Sequence, residues 1–315
     1  MTEDVGVMVW ADLVSLKAAD AKAAAEKLMK LVPNQGDPEQ QMEEMNEGLN
    51  KYSEFREKFL AAGGKGMLMM VSIPMDEMAE EPEPALLVQV SPGADHDALV
   101  AAMKSLDEDG DADDFELLTV APGWLAASGD DFGPVAKAGE AKYAKVFESA
   151  MAAHGGTPVR AAIRITDAMR AKMKEGLNQA QNDGGGNPMA GMVTGVLQTV
   201  LPLEAIGVGG HLGASPAILA SMEFPSAAEA GDFLEAYTSV LTFGKQMMVA
   251  QIRQMGDQGP PDMPGEAEVR QVFDALKMTQ DGKRLSLKID ETDMAAGGKM
   301  VPMVMMFMMM GGGGM

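Results

Sequence analysis

Two short apolar runs, each closed off by prolines, constrain this chain more than any other feature. The first is P-A-L-L-V-Q-V-S-P, Pro84 to Pro92, and the second is P-A-I-L-A-S-M-E-F-P, Pro216 to Pro225. Short runs rich in Leu, Val and Ile between turn residues read as buried strands. Near copies of one strand within one chain point to a fold made by duplication. Other landmarks keep the same order. Asp12 and Asp167 stand 155 residues apart, Pro38 and Pro188 150, Pro84 and Pro216 132, and Gly123 and Gly282 159. Drifting offsets with a preserved order are what changes in loop length produce.

Taken from the start, Val5 to Ala11 reads as a strand, and Asp12 and Ser15 stand where a helix cap is expected. Helices follow over 16–32 and 39–62, the second with Met42, Met45, Leu49, Tyr52, Phe55 and Phe59 on one stripe. Strands are expected over 66–73, 86–90, 115–120 and 124–128, with a helix over 95–106 and another over 135–153. The pattern then restarts, with strands over 159–165, 205–212 and 217–224, helices over 168–181, 189–200, 227–255 and 266–276, and a hairpin around Asp281-Gly282. Each half therefore reads strand, two helices, two strands, helix, two strands. The expected fold class is α+β: two tandem pseudo-symmetric repeats, each a mixed, mostly antiparallel sheet with helices on one face. The expected boundaries are 1–156 for the first repeat, 157–299 for the second, and 300–315 for a Met- and Gly-rich tail.

Charge narrows the partners. With 47 acidic and 25 basic residues, the formal net charge is −22, which repels phosphate backbones and anionic lipid surfaces. Nucleic acid is thus an unsuitable partner, and a protein or small ligand fits better. The chain has no cysteine, which removes disulfides, thiolate metal sites and Cys nucleophiles. Aromatics are 5% of the chain while Met reaches 31, so a soft core of Met, Leu, Val and Ala is expected. No apolar run is long enough to span a bilayer. Met1 to Asp4 leads into V-G-V-M-V-W with no basic or apolar leader, so the chain is expected to be cytoplasmic or to lack its natural signal segment.

Four stretches invite a chemical reading. Ser105 to Glu116, S-L-D-E-D-G-D-A-D-D-F-E, can be laid on a twelve-residue calcium loop. Asp107, Asp109, Asp111 and Asp113 then fall on ligand positions, Gly110 on the turn glycine, and Glu116 on the bidentate acid. Ser105 in place of the first acid, and a strand rather than a helix after Glu116, favour the plainer reading of a solvated acidic turn. The run from Met300 to Met310 offers soft thioethers to Cu(I). Its plainer reading is an apolar segment packed on the core or against a partner. Asp12 and Asp167, one per half, would form a hydrolytic carboxylate pair if the fold brought them together. Their W-A-D-L and I-T-D-A contexts suit helix capping better. Gly207 to Gly213 lacks the third glycine and the following helix of a dinucleotide loop, so a tight hairpin or bulge is expected. No catalytic residue and no cofactor is assigned.

The opening V-M-V-W-A-D-L, the paired P-A-L-L-V-Q-V and P-A-I-L-A-S-M-E-F strands and the D-G-K-R-L-S-L-K-I hairpin resemble a group of uncharacterised exported proteins from planctomycete-type bacteria. The resemblance spans most of the chain. It implies a periplasmic or secreted location and transfers no activity or site residue. The expected function is a non-catalytic binding or structural protein. The alternatives are a metal-handling protein, with Ca²⁺ at 105–116 or Cu(I) at the methionine run, and a hydrolase using a carboxylate from each half.

Overall fold

A computed structural model describes residues 5–31, 38–72, 84–105, 116–129, 144–183, 188–213, 215–255 and 264–297. The first half contains β1 (Val5–Asp12), α1 (Ala18–Leu31), α2 (Pro38–Ala61), β2 (Gly64–Ser72), β3 (Ala85–Val90), α3 (His96–Lys104), β4 (Glu116–Ala121), β5 (Trp124–Ser128) and α4 (Ala144–Ala152). The second contains β6 (Val159–Arg164), α5 (Asp167–Asp183), α6 (Pro188–Val200), β7 (Ala205–His211), β8 (Ala217–Glu223), α7 (Ala227–Met255), α8 (Glu266–Ala275), β9 (Thr279–Asp281) and β10 (Arg284–Asp290). A further helix, α9, occupies 291–297. Both proline-bounded runs are strands, and every second residue of β3 is buried, Leu86, Val88 and Val90. That period of two is the signature of a pleated strand with one face in a core.

All ten strands form one sheet in the order β4-β5-β3-β2-β1-β6-β7-β8-β10-β9, and every pairing is antiparallel. This corrects the expectation of a separate, mixed sheet in each half. The halves are joined by β1 and β6, with Val9 opposite Ala161. Each of these strands would otherwise leave a row of open backbone groups at a sheet edge, and pairing closes both rows. Read outward from that pair, one flank runs β1-β2-β3-β5-β4 and the other β6-β7-β8-β10-β9.

One face of the sheet carries two cores. Phe55, Phe59, Leu99 and Ala102 from α2 and α3 pack on Val88, Leu125 and Leu117. On the other flank of that face, Phe224, Phe233 and Leu285 gather with Leu203, Met169, Met173, Val196 and Met222. The Phe55–Phe59 and Phe224–Phe233 ring centroids are 5.4 and 5.5 Å apart, within the range of favourable aromatic pairs. The opposite face was expected to be bare of helices. It carries α4, whose Phe147 and Ala150 pack on Met8, Met70, Ala162 and Ala205. Among the described residues only Met8 and Met70 are buried methionines; Ala, Leu, Phe, Val and Ile165 fill the rest of the apolar core. Other methionines, such as Met67, Met169 and Met222, pack at the margins, where an unbranched chain fills irregular gaps.

Local chemistry sets the element starts. Asp95 accepts from the Ala98 amide at 3.1 Å and caps α3. Thr166 caps α5 through the Met169 amide. Ser226 and Glu229 open α7, the Ser226 hydroxyl accepting from the Glu229 amide at 3.2 Å and donating to the Glu229 carboxylate. Asp12 caps a turn rather than a helix, accepting from the amides of Val14 and Ser15, and α1 starts six residues later.

The glycine-rich stretch belongs to the β7–β8 hairpin, most of it in the first strand rather than in the turn. Gly207, Gly209 and Gly210 lie inside β7, and the turn to β8 passes through Gly213, at φ +124°. A Cβ on Gly207 would fall 2.7 Å from the Ala150 carbonyl oxygen, and one on Gly209 2.7 Å from the His154 Cβ. The missing side chains let the end of α4 lie directly on the sheet.

Candidate functional site: a cationic cleft between two helices

Helix α7 has 29 residues, about 43 Å of helix. Its first half buries Ala230 and Phe233 against the sheet core. Its second half meets α8 in a small core of its own, Val249 and Val269 with Met248, Ile252, Val272 and Phe273. Gly244 allows that approach, since a Cβ there would lie 3.2 Å from the Phe273 ring.

Three polar links tie the helices together. The Tyr237 hydroxyl donates to the Leu276 carbonyl at 2.8 Å. Lys245 Nζ donates to Asp274 at 2.9 Å. The Arg253 guanidinium donates through Nε and Nη2 to both oxygens of Glu266, at 2.7 and 2.9 Å, the two-pronged geometry that orients a guanidinium best. Arg270 lies 3.5 Å from the same Glu266. Lys245 and Lys277 hold the Asp274 carboxyl at a pKa of about 2. Hydrogen bonding and charge from Arg253, then Arg270, likewise lower that of Glu266.

Beside this seam is a cleft of about 340 Å³. Its walls carry three cations, Lys245, Arg253 and Arg270, and two neutral polar groups, Thr242 and Gln246, over Val249 and Ala250. The α7 residues 242, 245, 246, 249, 250 and 253 recur at helical spacing on one face. Glu266 and Asp274 are not part of the lining. They bond the cations without lining the cleft themselves, and among the described residues every charged group of the lining is a cation.

A second polar cluster lies under α4. Glu223 is 2% exposed and Ser221 1%. Arg284 donates to Glu223, and Ser149 donates to the same carboxylate oxygen at 3.0 Å. His154 Nε2 and Ser221 Oγ are 3.0 Å apart, and burial, ahead of the charges of Arg284 and Arg160, lowers the His154 pKa. His154 Nδ1 is buried with no hydrogen-bond partner among the described residues. The hydroxyl, imidazole and carboxylate resemble hydrolytic parts, but Ser221 is sealed beneath α4 and, among the described residues, no carboxylate orients Nδ1. The cluster fastens α4 to the sheet.

The residues singled out in the sequence are not brought together. Asp107, Asp109, Asp111, Asp113 and the methionine run 300–310 lie outside the described residues. Glu116 opens β4 and is exposed. The Asp12 amide donates to the Pro158 carbonyl, at one end of β6, whereas Asp167 lies past the other end. The six residues of β6 alone separate the two acids by roughly 17–20 Å at about 3.3 Å per residue. Carboxylate pairs that share a bond-breaking step stand within about 9.5 Å, so Asp12 and Asp167 form no such pair. Among the described residues no group of three or more His, Asp or Glu is placed to hold a metal ion, and no helix is long and apolar enough to cross a membrane.

The cleft had only a faint trace in the sequence. Lys245 and Arg253 share one stripe of α7, a concentration of cations in a chain with 47 acids to 25 bases. Nothing in the sequence placed Arg270 opposite them. The chain matches no protein-family model, no curated protein and no solved structure.

Proposed function

We propose that this chain is a non-catalytic binding protein, built on a duplicated α+β unit, with its ligand site in the α7–α8 cleft. The observation that carries the reading is the cleft, whose volume of about 340 Å³ falls in the range of small-molecule sites, roughly 300–1,000 Å³. Its lining has side chains suited to hold a ligand, the cations Lys245, Arg253 and Arg270 with Thr242 and Gln246. Cross-helix ion pairs hold the cations in place before a ligand arrives, which reduces the ordering cost of binding.

Duplication is supported by the matching strand order on the two flanks. It is supported again by the landmarks. Pro38 and Pro188 each open a helix, Pro84 and Pro216 each precede a third strand, and Gly123 and Gly282 both take positive φ in a hairpin turn. On this reading the cleft is an elaboration of one copy. Between its third and fourth strands the first half has the nine-residue α3, and the second half has α7 and α8. A long insertion at that place adds a site without disturbing the sheet.

The test is a mixed fragment set observed by NMR against the native protein and Ala250→Trp. Ala250 is exposed, so an indole there fills the cleft without entering the core. Fragments that bind the native protein and are lost from Ala250→Trp are the expected result. A ligand at a hundred times its Kd should also raise stability by about 2.7 kcal/mol. A hit list unaffected by Ala250→Trp would sink the reading.

A further inference from the structure

We propose that the cleft selects small multivalent oxyanions, molecules carrying two or more phosphate or carboxylate groups; this rests on the binding role proposed above. Lys245, Arg253 and Arg270 converge on one cleft, and its lining contains no acid among the described residues. A cation or a neutral apolar ligand would meet charges of the wrong kind or leave them unsatisfied. A single carboxylate would answer one of the three cations and leave the others facing solvent. An anion with several charged groups answers two or three together.

The cations are not used up by their present partners. Arg253 spends Nε and one Nη on Glu266, and Lys245 one bond on Asp274. The remaining guanidinium and ammonium donors are available to a ligand. Glu266 and Asp274 act as positioning residues through their bonds to Arg253 and Lys245. Glu266 turns the fork of Arg253 and lies near Arg270, so one carboxylate sets the spacing of two guanidinium groups. Thr242 and Gln246 add neutral donors on the α7 wall.

The overall charge of −22 does not oppose this at physiological salt. Charges beyond about 8 Å are screened at 0.15 M, so a bound ion is governed by the groups in and beside the cleft, where the cations Lys245, Arg253, Arg270 and Lys277 outnumber the acids Glu266 and Asp274 among the described residues, and the remote carboxylates weigh little. The same −22 discourages large polyanions, whose length would bring them against the rest of the surface. The cleft thus favours a compact ligand over a nucleic acid or an acidic protein.

Pyrophosphate and citrate are the probes, one for each anion chemistry, titrated by calorimetry into the native protein, Arg253→Gln, Arg270→Gln and Ala250→Trp. Arg253 and Arg270 are at least half exposed, and loss of an exposed ion pair changes stability little, so the Gln variants should fold. The expected result is saturable binding that weakens about tenfold or more in each Gln variant, vanishes in Ala250→Trp, and declines as salt rises. Each lost charged hydrogen bond accounts for a factor of that size. Binding of pyrophosphate alone or citrate alone assigns the site to phosphate or carboxylate ligands and supports the proposal. Equal binding by the native protein and the Gln variants would overturn it. So would silence from both anions alongside Ala250-dependent binding of uncharged fragments, and that outcome would leave the binding role standing. If nothing binds in an Ala250-dependent way, both fall.

Discussion

At the scale of single residues, the most consequential groups are the polar ones under α4. Glu223 is a carboxylate inside the sheet core, and Arg284 is its counterion. Removing one partner strands a buried charge, so Arg284→Met should cost about 3–5 kcal/mol in denaturant unfolding. The double variant Glu223→Leu with Arg284→Met should recover much of that loss, because no charge is then left unpaired. An additive double variant would show that the pair is not coupled. His154 makes stability depend on pH. Its folded pKa is lowered by burial, so the fold binds the neutral ring, while the unfolded chain takes up a proton near pH 6.5. Stability is therefore complete above about 6.5 and declines as pH falls toward the folded value, with a slope of up to about 1.4 kcal/mol per unit. His154→Gln should abolish this step, and a step that survived would assign it to another group.

Among the elements, β7 and the α7–α8 pair show packing deciding what a residue means. Gly209→Ala would press a methyl group against His154 and Thr157 and lift α4 from the sheet. A loss of about 1–3 kcal/mol is expected, as for other overpacked sites. The α7–α8 seam has a different pH signature. The Asp274 pKa is depressed to about 2 by Lys245 and Lys277, so its contribution is present above about pH 4 and lost as pH falls through about 2. An NMR titration of the Asp274 carboxyl should give that midpoint. A midpoint near the ordinary 3.9 would mean that the two ammonium groups do not engage it in solution.

For the whole molecule, the sheet is the unit that matters. Because β1 and β6 close each other's edges, residues 1–156 made alone would expose β1, and residues 157–299 alone would expose β6. Each half should then self-associate through that edge, a doubling of mass visible by light scattering. Mixing the halves should restore a one-to-one complex. Halves that stay monomeric and indifferent to each other would show that the central pairing contributes little.

Strands and helices were legible because the sequence carries their periods and stops in local form. The proline-bounded apolar run Pro84 to Pro92, the i, i+3, i+4 stripe through Phe55 and Phe59, and the turns at Gly123 and Gly282 each need only near neighbours to be read. Helix α9 was missed, since 291–297 has no apolar stripe of its own. The merging of two expected sheets into one depends on which strand edges meet, and no local pattern states that. The function of Gly207 and Gly209 depends on a helix some fifty residues earlier. The cleft depends on Arg270 coming to rest across from Lys245 and Arg253. Local sequence sets backbone propensity and which face of an element is apolar; the partners of those faces, and the cavities left between them, are settled only when distant segments pack.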